Sequence, residues 1–224
     1  MATRTVADDT WKLVRQERVD VLSFLRELSA EQWETLSLCE GWKVRDVAIH
    51  LLVEEAVNEL GLTRTLMKMV RWRFSVHRAN AWWVDRNADR PTSSIVEGFA
   101  KTIGDAGRYS RLLGPEVGLR ATVIHHQDMR RPLGQSRSIP PERLIAVLNA
   151  VLTQKGSRNL GSRERSGSLR LRATDVEWES GDGPEVSGPG EAILMVLAGR
   201  SSALNELSGE GKDLLAARDQ PTLT

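Results

Sequence analysis

The stretch VIHHQDMRRPLG, residues 123–134, contains two of the four histidines in this 224-residue chain. A helix can begin at Pro115, because a proline lacks only an N–H that the first turn of a helix leaves unused. The same helix should end near Arg130, because Pro132 follows and cannot donate a helical hydrogen bond. The sequence therefore predicts a helix of about four turns that carries the histidine pair in its last turns.

Helical rotation separates the two neighbouring histidines. At about 100° per residue, His125 and Asp128 fall on the apolar stripe of the helix, which should face the interior. His126 is turned away from this stripe, toward its edge or the solvent. The pair is thus predicted to consist of an inward and an outward imidazole.

Other segments of the chain repeat the helical spacing of apolar residues. Together with the helix described above, they predict an all-helical bundle over residues 1–156. Their approximate limits are residues 8–28, with Asp8, Asp9 or Thr10 as the N-cap, and residues 44–67, 93–113 and 142–154.

The composition changes at Gly156, where GSRNLGSRERSGS, rich in Gly, Ser and Arg, indicates a linker. Alternating residues at 169–174 and a glycine turn at 181–183 then predict two or three antiparallel strands, followed by helical segments. The fold class is therefore mainly α, a helical bundle at 1–156 followed by a small α+β domain at 157–224.

Charge and cysteine content restrict the classes of partner. The chain has 31 Lys and Arg against 30 Asp and Glu, a formal charge of +1, so we expect neither nucleic acid nor membrane as a partner. The single cysteine, Cys39, cannot form an internal disulfide, which favours a reducing, cytoplasmic location. We expect a monomer or homodimer that acts on a small molecule.

A second histidine lies on a helix that can face the first. His50 sits beside the apolar stripe of the predicted second helix, with Glu54 one turn later. Histidines and carboxylates on facing helices of a bundle can hold a divalent metal, with His50, His125 and either Asp128 or Glu54 as ligands. Alternatively, these side chains are core residues that bond one another or the backbone. Cys39 could be a nucleophile, but a lone cysteine without a nearby base is more often an inert buried thiol.

Three stretches resemble a known family. LCEGWKVRDVAIHL at 38–51, VIHHQDMRRPLG at 123–134 and TDVEWESGDGPEVSGPGEAILMVLAGRSSALNELSGEG at 174–211 are similar to the mycothiol-dependent maleylpyruvate isomerase family of DinB-like proteins. This resemblance implies a DinB-like four-helix bundle that holds a divalent metal, often zinc, followed by a small α+β domain. It also implies that the metal activates the thiol of mycothiol for attack on a small electrophile, by isomerisation or S-transfer.

The resemblance also assigns metal ligands to this chain. The family's two histidine ligands fall on His50 and His125, whereas Ala121 occupies the position of its acidic ligand, four residues before His125. Asp128, Glu54 or water would have to fill that place. Two functions follow as hypotheses: a mycothiol-dependent isomerase or thiol transferase, or a non-catalytic ligand-binding or regulatory module that kept the scaffold.

Overall fold

The computed structural model of the chain describes residues 2–52, 55, 57, 58, 61, 64, 67, 68, 70–73, 75–104, 107–153 and 160–218. Over these residues the protein is mainly helical and has a small three-stranded sheet, which confirms the predicted fold class. The chain divides into two compact units, Met1–Ser136 and Arg137–Thr224. Each unit is described separately.

The first unit is built from helices. In chain order these are α1 (Ala2–Glu27), α2 (Ala30–Glu34), α3 (Val44–His50), α4 (Val76–Arg86), α5 (Thr92–Lys101), α6 (Gly107–Leu113) and α7 (Pro115–Arg130), followed by a 3-10 turn at Arg131–Leu133.

Four of these helices, α1, α3, α5 and α7, form the bundle. Helix α1 packs on α5 and α7, and α3 packs on the same two helices. Buried apolar side chains that recur at helical spacing line the inner faces, as Val14, Val21 and Leu25 do on α1. The bundle therefore places α3 directly beside α7, the helix that carries the histidine pair.

The start of the first predicted helix was wrong, whereas its end at residue 28 was correct to within one residue. Helix α1 begins at Ala2, so the predicted caps at residues 8–10 lie inside the helix, where polar side chains on an exposed face are tolerated. The helix stops at Glu27, and the next one starts from Ser29, whose side chain and Gln32 form a capping box. Apolar spacing therefore located the end of this helix but not its start.

Two other helix predictions need correction. The predicted third helix is divided into α5 and α6, with the Thr102 hydroxyl bonded back to the Phe99 carbonyl at 2.7 Å where α5 ends. Helix α4 was not predicted; the Ser75 side chain caps it by accepting from the Arg78 N–H. Of the predicted second helix, Val44–His50 is described, and much of the remainder lies outside the described residues.

The second unit combines helices with the sheet. Its elements are α8 (Pro141–Leu152), α9 (Ser162–Ser166), β1 (Arg170–Ala173), β2 (Glu179–Ser180), β3 (Glu185–Gly188), α10 (Gly190–Leu197), a 3-10 turn at Ser201–Glu206, and α11 (Lys212–Arg218).

The strand order is β2-β1-β3, with β1 central. Strands β1 and β2 are antiparallel, but β1 and β3 are parallel, so the prediction of antiparallel strands throughout was wrong. Alternation of apolar residues identifies a strand and its buried face, but it carries no information about the direction of the neighbouring strand.

Helix α8 belongs to the second unit, which therefore begins before the predicted linker. This helix packs on α10, and Asn149 of α8 accepts a 2.8 Å hydrogen bond from the Trp178 indole. The domain boundary between residues 156 and 157 stays a prediction. Within the described part of the chain, no helix is both long and apolar enough to cross a membrane.

Candidate metal centre

Three side chains from two parts of the first unit converge on one point. Asp128 Oδ2 on α7 lies 2.9 Å from His125 Nδ1 and accepts a 3.2 Å hydrogen bond from the Cys39 thiol. Cys39 Sγ is 3.6 Å from the same His125 nitrogen, and one donor atom from each residue lies within 4.8 Å of the other two. A sulfur, an imidazole nitrogen and a carboxylate oxygen are therefore directed at a common volume.

The histidine and the acid share a face because they are three residues apart on α7, about one helical turn. Asp128 is fully buried, whereas 17% of the His125 side chain is exposed. A buried carboxylate must accept hydrogen bonds, and the imidazole and the thiol both offer them to one oxygen. The centre is therefore fully buried at the acid and partly exposed at the imidazole.

A tight turn presents the cysteine. The Trp42 N–H bonds to the Cys39 carbonyl at 3.0 Å, and Gly41 has a φ of 73°. A type II turn requires a positive φ at its third residue, which glycine adopts without strain. The Ser37 hydroxyl also accepts from the Cys39 N–H at 3.1 Å, so the CEGW segment holds the thiol in place.

A proline on α7 ties this turn to the helix. In a regular helix the Asp128 carbonyl would accept from the N–H four residues later, but that residue is Pro132, which has none. The N–H of Leu38 takes the position instead, at 3.0 Å. The RPLG end of the motif therefore anchors the residue that precedes Cys39.

His50, at the end of α3, lies next to His125, with ring centroids 4.8 Å apart and planes perpendicular. Its other neighbour is the Trp42 ring, at 5.3 Å. The buried Nδ1 of His50 has no hydrogen-bond partner among the described residues. Burial, and then the nearby His125, lowers the pKa of His50 to about 3, although Asp128 acts in the opposite direction. His50 is therefore a neutral imidazole with an unused nitrogen.

The second histidine of the pair lies on the other side of α7. His126 is fully buried, so its predicted place at an edge or in solvent was wrong. Its Nδ1 is 2.8 Å from Glu17 on α1, and its Nε2 accepts a 2.8 Å hydrogen bond from Arg130. The prediction failed because α1 covers this side of α7 and supplies a polar partner that the sequence of α7 does not reveal.

The structure brings His50, His125 and Asp128 together, and their role as metal ligands stays a prediction. Glu54, the other proposed carboxylate, lies outside the described residues. Cys39, for which an inert thiol was favoured over a nucleophile, lies against both an imidazole and a carboxylate, and its reactivity stays a prediction. The only hint in the sequence was its place in the GW motif.

Comparisons with known proteins identify solved structures with the same fold. One solved structure with the same fold is described as a mycothiol-dependent maleylpyruvate isomerase; it is 17% identical, with a TM-score of 0.61, and the match covers 92% of this chain and 93% of that one. A mutant of such an isomerase, with a histidine changed to alanine, matches with the same identity and coverage and a TM-score of 0.57. No curated protein matches.

These structural likenesses establish the DinB-like fold of the chain. The family model described as the mycothiol maleylpyruvate isomerase N-terminal domain matches residues 14–130, a span that includes Cys39, His50, His125 and Asp128. Because that span is more than half of the 224 residues, the chain belongs to the mycothiol maleylpyruvate isomerase family.

Proposed function

We propose that the protein is a metal-dependent enzyme that uses a small thiol, mycothiol, to isomerise or to transfer sulfur to a small electrophile. The observation that carries the proposal is the convergence of Cys39, His125 and Asp128 within 4.8 Å in a member of this family. The small electrophile is the proposed substrate. We also propose that the protein acts in the cytoplasm, as a monomer or homodimer.

The donor set fits a divalent metal. Thiolate, imidazole and carboxylate are the ligand types that zinc binds in proteins, and three protein ligands leave a position open for a substrate. The Cys39 thiol and an N–H of His125 now share one oxygen of a buried carboxylate, so a cation would take the place of the two protons. His50, whose ring centroid lies 4.8 Å from that of His125, could add a fourth donor atom, since its Nδ1 has no hydrogen-bond partner among the described residues.

Cys39 could replace the acidic ligand that is absent at position 121. Ala121 has no donor atom, so the acidic ligand that the family resemblance implies is missing from α7. A thiolate from the CEGW turn would restore the negative charge from another element. We therefore propose Cys39, His125 and Asp128 as the ligands, with His50 as a fourth ligand or a close neighbour.

Each residue has a chemical task in this proposal. Cys39, His125 and Asp128 would hold the metal, which would supply a Lewis acid that favours the thiolate form of a bound thiol near neutral pH. His50 remains neutral because of its low pKa and does not repel the metal. In the metal-free protein, the hydrogen bond from His125 Nδ1 to Asp128 holds the imidazole beside the carboxylate. A thiolate that adds to an activated double bond turns it into a single bond, about which the substrate rotates before the thiolate leaves.

The first experiment measures metal content and the spectrum of the cobalt-substituted protein. We expect stoichiometric zinc in the wild type, and a sulfur-to-cobalt charge-transfer band that disappears in Cys39→Ser. His125→Ala should lose the metal, whereas His77→Ala, which changes an exposed histidine on α4, should retain it. A wild type that takes up neither zinc nor cobalt contradicts the proposal.

Ala121 also favours the second candidate function, a ligand-binding or regulatory module without catalysis. If this is correct, a chelator should leave ligand binding unchanged, and thiol-dependent isomerisation should be absent from the wild type. Ala121→Glu, compared with the uncharged control Ala121→Gln, then tests whether an acid at this position creates metal binding. Metal in the wild type that depends on Cys39 contradicts the non-catalytic alternative.

A further inference from the structure

The polar cluster of Glu17, His126 and Arg130 lies outside the candidate metal centre, yet it shares helix α7 with it. Glu17 and His126 are fully buried. The two residues come from sequence positions 109 apart and meet at 2.8 Å between Glu17 Oε1 and His126 Nδ1. Burying a carboxylate and an imidazole costs free energy that burying apolar side chains does not cost. The presence of this pair in the core therefore needs an explanation.

The hydrogen bonds of the cluster have a definite direction. Arg130 donates its Nε–H to His126 Nε2, so this nitrogen carries no proton and the proton lies on Nδ1. Nδ1–H therefore donates to the carboxylate of Glu17. Both ring nitrogens are in use, which leaves His126 unable to bind a metal and makes it a connector between α1 and α7.

A second contact extends the connection along both helices. The Arg130 guanidinium, one turn after His126, lies 4.6 Å above the ring of Phe24, two turns after Glu17 on α1. The Phe24 ring also packs on the His126 ring, with centroids 5.3 Å apart. The hydrogen-bonded pair of Glu17 and His126 and the packing of Arg130 on Phe24 are two points of attachment. Because the hydrogen bond is directional, together they fix both the rotation of α7 and its position along α1. Apolar packing alone is not directional.

Rotation of α7 decides where the metal ligands point. His125 and His126 are consecutive, so the angle between their side chains is fixed at about 100° by the helix. If His126 is held against Glu17, then His125 and Asp128 must face the CEGW turn and Cys39. A rotation of α7 would separate these donors from Cys39.

We propose that Glu17, His126 and Arg130 are positioning residues for the metal centre: they lock the rotation of α7 so that His125 and Asp128 meet Cys39. This inference rests on the proposed function, because it assumes that a metal binds at that point. It also explains why two adjacent histidines occur in the motif: one belongs to the centre and the other holds the helix.

The test must separate positioning from stability. In the double variant Glu17→Leu/His126→Leu, apolar side chains replace the buried pair, a change that often leaves stability intact or raises it. We expect this variant to bind cobalt about 10- to 100-fold more weakly than the wild type, with altered ligand-field bands. Val21→Ala on α1, which removes core contacts but keeps the cluster, should retain the wild-type spectrum.

Rescue by a polar replacement provides a second measurement. In His126→Gln the amide can accept from Arg130 and donate to Glu17, so we expect a spectrum and cobalt affinity close to wild type. His126→Phe has a ring but no polar atoms and should behave like the double variant.

The outcomes distinguish the two proposals. Cobalt binding by the wild type, together with an unchanged affinity and spectrum in the double variant, would overturn the positioning role alone. Failure of the wild type to bind any metal would overturn both this role and the proposed function.

Discussion

The backbone N–H of Leu38 donates a 3.0 Å hydrogen bond to the carbonyl of Asp128, joining the cysteine turn to the helix that carries the acid. The bond exists because Pro132 has no N–H to offer that carbonyl. The position of the cysteine turn at the candidate metal centre therefore depends on the absence of an N–H group at Pro132.

Replacing this proline should disturb the centre. In Pro132→Ala the new N–H competes for the Asp128 carbonyl, so Leu38 loses its partner and the turn with Cys39 loosens. We expect zinc affinity, measured by competition with a chelating dye, to fall about 10-fold. Pro115→Ala at the other end of α7 is the control and should keep the affinity; equal loss in both variants would contradict this explanation.

The turn glycine should resist substitution for conformational reasons alone. Nothing lies within 4 Å of a Cβ built on Gly41, but its φ of 73° disfavours any side chain. We expect Gly41→Ala to lower the free energy of unfolding by about 1–2 kcal/mol in urea denaturation.

A helical glycine in the same unit gives the matched comparison. At Gly118, inside α7, an added Cβ would meet Val14 and Trp11 at ordinary distances of 3.7 and 3.8 Å. Gly118→Ala should therefore stabilise the protein by about 0.5–1 kcal/mol. Destabilisation of similar size at both positions would contradict the role of φ.

The low pKa of His50 predicts a loss of stability in acid. Its pKa is lowered from 6.5 to about 3 in the folded protein. At pH 5 the imidazole is thus charged in the unfolded chain but neutral in the folded one, so protons favour unfolding. The stability is complete above pH 6.5 and is lost progressively as the pH falls toward 3.

Urea denaturation of the metal-free protein can measure this loss. Between pH 7 and pH 5 we expect the wild type to lose about 1–2 kcal/mol more than His50→Gln, which cannot take up the proton. A chelator must be present, because a bound metal would also compete with protons. Equal losses in the two proteins would contradict the assignment of a neutral buried imidazole.

The placement of α8 in the second unit can be tested by hydrogen exchange in the intact chain. Leu148 on α8 is fully buried, so Leu148→Ala should cost about 2–5 kcal/mol. We expect faster exchange in β1, β3 and α10, with α7 unchanged. Leu25→Ala on α1 should have the converse effect. Faster exchange in both units for both variants would contradict two separate units.

Much of the fold was predictable because local signals mark it. Proline at the first helical turn gave the start of α7, and α8 begins at Pro141, within one residue of the predicted start at 142. The strand directions and helix α4 were not predicted, because apolar spacing does not report which elements become neighbours. Elements with clear end signals were therefore predicted better than those defined by packing.

The candidate site was predictable only in part, and for a similar reason. His50, His125 and Asp128 were selected because helical spacing places them on inward faces. Cys39 lies 89 positions from Asp128 in the sequence, so nothing local indicated that they touch. The burial of His126 was not predicted because its partner, Glu17, lies on a different helix.

Helix α7 assigns different tasks to its two sides. The side with His126 and Arg130 joins α1, and the side with His125 and Asp128 meets the CEGW turn. Replacing an acidic residue at position 121 would therefore not weaken the contacts between α7 and α1. A side chain on the CEGW side of α7 can thus be changed, and a thiol can be presented there by the loop, while the contacts that orient the helix on α1 stay the same.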